Sequence, residues 1–166
     1  MAPSLLRSIY HALVESTLTY GILAWGGTNN TYIDSLNKTQ KLILRVINFK
    51  PSRYPSEALF KEYQVLSIRQ HYIKKLLIYY RTHTSLNQTP AHAHNTRTRN
   101  INLTIPRMKT AFAQKHAIYL APKIHNRLPK RLKLQITKPE FKKQIKTWLM
   151  EKGITHSELL VTSLFH

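Results

Sequence analysis

The sequence predicts a mainly α protein, an irregular helical bundle in two lobes with one short β or extended segment near 100–106. Three observations carry that expectation. Apolar residues recur about one helical turn apart over most of the chain, Ser or Thr precedes Gln or Glu at capping-box spacing ahead of two runs, and proline or glycine punctuates the runs. The 166 residues fit one medium domain or two small lobes, and a hydrophobic fraction of 42% is enough for a packed core.

Ser4 precedes Leu5, Ile9, Leu13 and Leu18, which predicts a first helix from Leu5 to about Tyr20. Three of the four glycines, Gly21, Gly26 and Gly27, cluster around Trp25 where that helix should end. Asn30 is placed to cap a second helix with the stripe Ile33, Leu36, Gln40, Ile43, Leu44 and Ile47, which Pro51 stops. A short helix is expected over Glu57 to Tyr63. Ser67 with Gln70 then starts a longer one, reaching about Thr84, whose buried face is Ile73, Leu76, Leu77 and Tyr80.

From Ser85 to Thr110 the pattern dissolves into Asn, Thr, His and Pro, with only Ile101, Leu103 and Ile105 alternating as a strand would. Ala111 to Ile124 reads as a helix that Pro122 should kink or restart. Thr137 with Glu140 opens a last helix bearing Phe141, Ile145, Trp148 and Leu149, and Gly153 stops it before an amphipathic turn over Ser157 to Phe165. The expected organisation is a helical lobe over 1–84, a basic linker or binding loop over 85–110 and a second helical lobe over 111–166.

Charge is the sharpest signal. Lys and Arg number 26 against 7 Asp and Glu, a formal net charge of +19. A compact body with that imbalance is best tolerated beside a polyanion, so nucleic acid is the first expected partner and an anionic membrane surface the second. Between Glu62 and Glu140 there is no acidic residue, while Arg69, Lys74, Lys75, Arg81 and Lys138 fall there with the candidate binding set. That set is Arg97, Arg99, Arg107, Lys109, Lys115, Lys123, Arg127, Lys130, Arg131 and Lys133. The expectation is a shared cationic face that phosphates neutralise. Thr96 to Arg99 combines guanidinium forks with hydroxyl donors suited to phosphate oxygens. Tyr72, Tyr79, Tyr80 and Tyr119 could stack on unpaired bases, although helical tyrosines more often pad a core, which is the favoured reading.

The same composition excludes much chemistry. With no cysteine there is no disulfide, thiolate zinc site, iron–sulfur cluster or thiol nucleophile, and any compartment is allowed. Two-metal polymerase or nuclease chemistry needs several convergent carboxylates, whereas Asp34 is the single aspartate and the glutamates are scattered. His92 and His94 could chelate a metal, but no third ligand is near in sequence, so neither a metal site nor a cofactor is assigned and no residue is catalytic. No nucleophile elbow or Gly-rich phosphate loop is present. The Leu18 to Trp25 stretch is too short to span a bilayer, so no membrane span and no secretion are expected, and Lys123 to Lys133 would suit nuclear import. Location is therefore expected to be nuclear or cytoplasmic, the nucleus favoured.

Six pieces in order resemble the C-terminal part of reverse transcriptases from jockey-like non-LTR retrotransposons. They are Leu13 to Gly26 (LVESTLTYGILAWG), Leu36 to Ile47 (LNKTQKLILRVI), Ser56 to Leu66 (SEALFKEYQVL), the Thr96–Arg97 pair, Pro122 to Pro129 (PKIHNRLP) and Phe141 to Leu149 (FKKQIKTWL). The resemblance covers nearly the whole chain. It implies the thumb and post-thumb of an RNA-directed DNA polymerase, gripping an RNA–DNA or DNA primer–template duplex or the element RNA. Fingers and palm, with the catalytic aspartates and the Mg2+ that the whole enzyme would use, are missing, so the chain alone is expected to be inactive. His125 stands where the family often has Trp, and neither a Cys–His knuckle nor a ribonuclease H region is present. Trp25, Asn126, Leu128 and Pro129 match the pattern, and each also has a structural reading, Trp25 as core and Asn126 with Pro129 as a turn. Two other readings remain open: a fragment completed by fingers and palm from another chain, or a host-adopted basic module for nucleic acid or anionic membranes.

Overall fold

A computed structural model describes residues 3–83, 103–133 and 137–162. Those residues are mainly helical, and no strand occurs among them. In chain order the elements are α1 (Pro3–Ile9), a π-helical stretch (Tyr10–Glu15), α2 (Ser16–Thr19), α3 (Ile22–Trp25), α4 (Asn30–Ile47), α5 (Ser56–Glu62), α6 (Ile68–His83), α7 (Ala111–Gln114), α8 (Ala117–Asn126), α9 (Lys130–Lys133) and α10 (Lys138–Thr162).

α6 is the axis of the bundle. The Ser67–Gln70 box forms as expected: the Ser67 amide donates to Gln70 Oε1 at 3.0 Å and the Gln70 amide to Ser67 Oγ at 3.4 Å. From there Ile73, Leu76, Leu77 and Tyr80 are all buried, and α6 packs on α10, α8, α3, α2 and α4. One apolar cluster joins Ile22, Ile73 and Leu76 to Leu120, Ile124, Phe141, Ile145 and Trp148, so residues before 84 and after 111 share a core. A second cluster gathers Tyr10, Leu44, Leu59, Phe60, Val65 and Ile154.

The first turn of α6 is buried although it is polar. Arg69 is 1% exposed, and its guanidinium donates to the carbonyls of Gly26 at 2.6 Å and Thr28 at 2.7 Å. Gln70 Nε2 donates to the carbonyls of Leu149 at 2.8 Å and Gly153 at 3.1 Å. Gly26 has to be glycine for space: a Cβ there would lie 2.3 Å from Tyr72 Cδ2. Gly153 has to be glycine for conformation, since φ 78 and ψ 177 break α10 there in a region closed to other residues.

Several boundaries differ from expectation. The first helix runs through a π-helical stretch instead of a regular α turn, which shifts the face that its later residues present. The cap position of α4 is Asn29 and not Asn30, without a side-chain cap bond, because the Asn29 Oδ1 accepts from Lys115 Nζ at 3.1 Å. The break expected at Pro122 comes earlier, at Lys115 and His116, where His116 Nδ1 accepts the Ile118 amide at 3.4 Å and starts α8. Pro122 is then carried inside α8, where only one backbone bond is forfeited. Glu140 does not reach back to close a box at Thr137 but accepts from Gln144 Nε2 at 3.1 Å. The strand expected near 100–106 does not form over the described residues 103–106. In place of a neighbouring strand, Asn126 takes both backbone groups of Leu103, Oδ1 accepting the amide at 2.7 Å and Nδ2 donating to the carbonyl at 2.9 Å.

Arg69→Ala should strand two buried carbonyls and lower stability by ~3 kcal/mol, seen as a fall in urea midpoint at unchanged slope. The exposed control Lys61→Ala should stay within ~0.5 kcal/mol of the parent. Equal midpoints for the two variants would show that water replaces the guanidinium.

Candidate functional site

Cations define the candidate site, because carboxylates converge nowhere among the described residues. Glu62 is held by Lys50 Nζ at 3.0 Å and Tyr54 Oη at 2.8 Å, Glu57 accepts from Thr155 Oγ1 at 3.2 Å and Glu151 faces Arg131 at 3.2 Å. No group of three or more His, Asp or Glu side chains is arranged to hold a metal among the described residues. A cleft of about 240 Å³ between α5 and α10 is lined by Glu57 and Glu151 beside Lys61 and Lys152, a mixed charge that does not favour an anion.

Of the sequence-derived set, Arg97 and Arg99 lie outside the described residues, as do Thr96, His92 and His94. Arg107 and Lys109 are exposed on the irregular segment that leads into α7. Lys115 is half-buried on Asn29, and Lys123 lies over the Tyr119 ring, 5.2 Å from its centroid. Arg127 is exposed just past α8, and Lys130 and Arg131 are exposed on α9, with Arg131 on Glu151. Lys133 donates to the Asn126 carbonyl at 2.7 Å, and burial, with the charge of Lys130 behind it, holds its pKa below the usual lysine value. The structure thus brings Arg127, Lys130, Arg131 and Lys133 together at the α8–α9 corner and ties Lys115 to the start of α4.

Burial corrects the reading of two cations in the acid-free stretch. Arg69 serves the core, and Arg81 stacks over the Phe141 ring at 4.3 Å. Among the tyrosines, Tyr72 and Tyr80 are core, as favoured, while Tyr79 is exposed and stacked on His83, with ring centroids 4.2 Å apart.

A further cationic group joins Lys74 and Lys75 of the acid-free stretch to Lys142 and Lys146, which lie beyond Glu140 and some seventy residues away. α6, with Lys74 and Lys75, packs on α10, with Lys142 and Lys146, near enough for the charges of Lys142 and Lys146 to bear on Lys74, as does that of Glu15 in the π-helical stretch. Burial first, then the charge of Lys146 and less strongly those of Lys142 and Lys75, lowers the Lys74 pKa, with Glu15 opposing. Lys75 Nζ donates to the Thr19 carbonyl at 2.9 Å. Beneath lies His71, nearly sealed from solvent, its Nε2 3.7 Å from Glu15 Oε1, while the other Glu15 oxygen is paired with His11 Nδ1. Burial, helped by Lys74, Lys75 and Lys146 and opposed by Glu15, pushes the His71 pKa down to about 4. His125 is likewise pushed down to about 4 by burial and then Lys133. The one signal in the sequence was the i, i+4 spacing of Lys142 and Lys146 beside the apolar pair Phe141 and Ile145.

No protein-family model, curated protein or solved structure matches the chain.

His71 is neutral in the fold at pH 7. Its folded pKa of about 4 lies below the ordinary 6.5, so the stability present above pH 6.5 is lost as pH falls toward 4. Between pH 7.5 and pH 5 this loss should be ~2 kcal/mol in urea unfolding. His71→Gln should remove its own share of the acid loss over that range and leave the share that His125, depressed to about 4 as well, contributes. An undiminished acid loss in the variant would assign it to other groups.

Proposed function

We propose that this chain binds nucleic acid through its phosphates, as the thumb and post-thumb part of a non-LTR retrotransposon reverse transcriptase, and carries no catalysis of its own. One observation carries the reading: the acid-free stretch between Glu62 and Glu140 supplies exposed cations at Arg107, Lys109, Arg127, Lys130 and Arg131, in a chain of net charge +19. Such a surface is self-repulsive unless a polyanion quenches it. The missing carboxylate constellation fits a gripping part whose chemistry belongs to a palm elsewhere. A nuclear site of action follows from the proposed target, chromosomal DNA.

A second reading has its own support. Leu5 is 48% and Leu13 66% exposed on the first helical rod, an apolar edge that fits docking against fingers and palm supplied by another chain. Binding to an anionic membrane surface is the remaining alternative. No helix of the described residues is long and apolar enough to cross a membrane.

Titrating the full chain against duplex DNA, an RNA–DNA hybrid, single strands and phosphatidylserine vesicles tests the proposal. A thumb should prefer the paired helices, with affinity falling steeply as salt rises. Charge reversal at Arg97, Arg99, Lys130 and Arg131 should flatten the log–log salt slope by ~3 or more, since each phosphate contact contributes about 0.9. An unchanged slope removes the named surface, and vesicle affinity matching that for duplex overturns the nucleic-acid reading.

A further inference from the structure

We infer that Lys74, Lys75, Lys142 and Lys146 form a second phosphate-binding site, on the face shared by α6 and α10, and that its ligand is the sugar–phosphate backbone of a nucleic acid. The inference deepens the proposed function and rests on it.

The site is built by packing. Ile73, Leu76 and Leu77 on α6 and Phe141 and Ile145 on α10 are buried together, and each lysine sits next to one of those core positions. The core contact therefore fixes how far apart the ammonium stems emerge. Lys142 and Lys146 are one turn apart, with Cβ atoms ~6 Å from each other. Lys74, on the helix that packs against α10, is half-buried, so that part of its hydration is already removed. Lys75 is anchored on the Thr19 carbonyl.

Compensation is what the cluster lacks. Among the described residues, none of the four lysines makes an ion pair with a carboxylate. Glu15 is the acid that bears on Lys74, and its two oxygens are directed to His11 and His71. Holding lysines together without an anion costs stability, and a bound polyanion reverses the sign of that cost.

A nucleic-acid strand offers charges repeated every ~3.4 Å of helix axis, which a row of lysines on paired helices can follow. The buried arginine of α6, Arg69, is directed to the Gly26 and Thr28 carbonyls, so the contact at the cluster is of the sequence-indifferent kind that lysine ammonium groups give.

The test compares three full-length proteins: the parent, a site variant with Lys74→Gln, Lys142→Gln and Lys146→Gln, and a charge-matched control with Lys38→Gln, Lys41→Gln and Lys61→Gln on α4 and α5. Each is titrated with a duplex of about twenty base pairs across a salt series, with inorganic phosphate and phosphatidylserine vesicles as separate arms, and unfolded in urea. The site variant should bind duplex ~10- to 100-fold more weakly at 0.15 M salt and lose ~2 to 3 from the log–log slope. The control should change by less than ~3-fold, because charges beyond a screening length of ~8 Å contribute little. The urea midpoint of the site variant should stay level or rise at low salt, an outcome that a structural role for these lysines would reverse.

If parent and control bind duplex steeply with salt and the site variant matches them, this site is wrong and the functional proposal stands. If the parent binds no nucleic acid, the proposed function falls and the site falls with it. Loss of vesicle binding in the site variant with duplex binding unchanged would assign the cluster to lipid headgroups and overturn the inference.

Discussion

The fold depends on satisfying a polar first turn of α6 inside the core. Arg69 and Gln70 enter the interior together, and each finds backbone carbonyls far away in sequence, Arg69 at Gly26 and Thr28, Gln70 at Leu149 and Gly153. Apolar contacts are non-directional, so the clusters along α6 would tolerate other placements of the loop after α3 or of the break in α10. Those four hydrogen bonds do not, because each buried polar group left without a partner costs ~1–3 kcal/mol. Gly26 must then lie against the Tyr72 ring, and α10 must break at Gly153, for the carbonyls to meet their donors.

The sequence was most legible where one local rule acted alone. Ser67 and Gln70 announced α6, and its apolar positions named the core face, since capping and helical periodicity need only neighbours within a turn. Legibility failed where a side chain did a backbone's work. His116 caps α8 although histidine is not among the preferred caps, and Asn126 stands in for a partner strand beside Leu103. The alternation at Leu103 and Ile105 is a real strand signal, but a strand needs a ladder, and one amide side chain supplies a single rung.

For the candidate site, sequence could count cations but not aim them. Arg69 looks like its neighbours Lys74 and Lys75 in the acid-free stretch, yet it points to carbonyls of its own chain. Lys133 behaves similarly toward Asn126, and Arg131 toward Glu151. Such internal partners lower the number of cations left for an outside anion, so net charge overstates the number of phosphate contacts. The reverse error occurred at α10, where Lys142 and Lys146 stood outside the acid-free stretch and were passed over, although folding sets them beside Lys74.

Electrostatics and packing meet on α6. The helix is buried on nearly every side, so its two lysines have few directions to take: Lys74 is half-buried and Lys75 donates to the Thr19 carbonyl. Restricting them in this way removes rotamer freedom before any ligand arrives. Lysine loses up to ~2 kcal/mol of side-chain freedom when it is fixed, and Lys74 and Lys75, already restricted on α6, lose less of it on binding. Lysines on a surface loop would lose theirs at the moment of contact. Core position in the central helix therefore sets more than stability, because it selects which of the many cations are already arranged for a repeating anion.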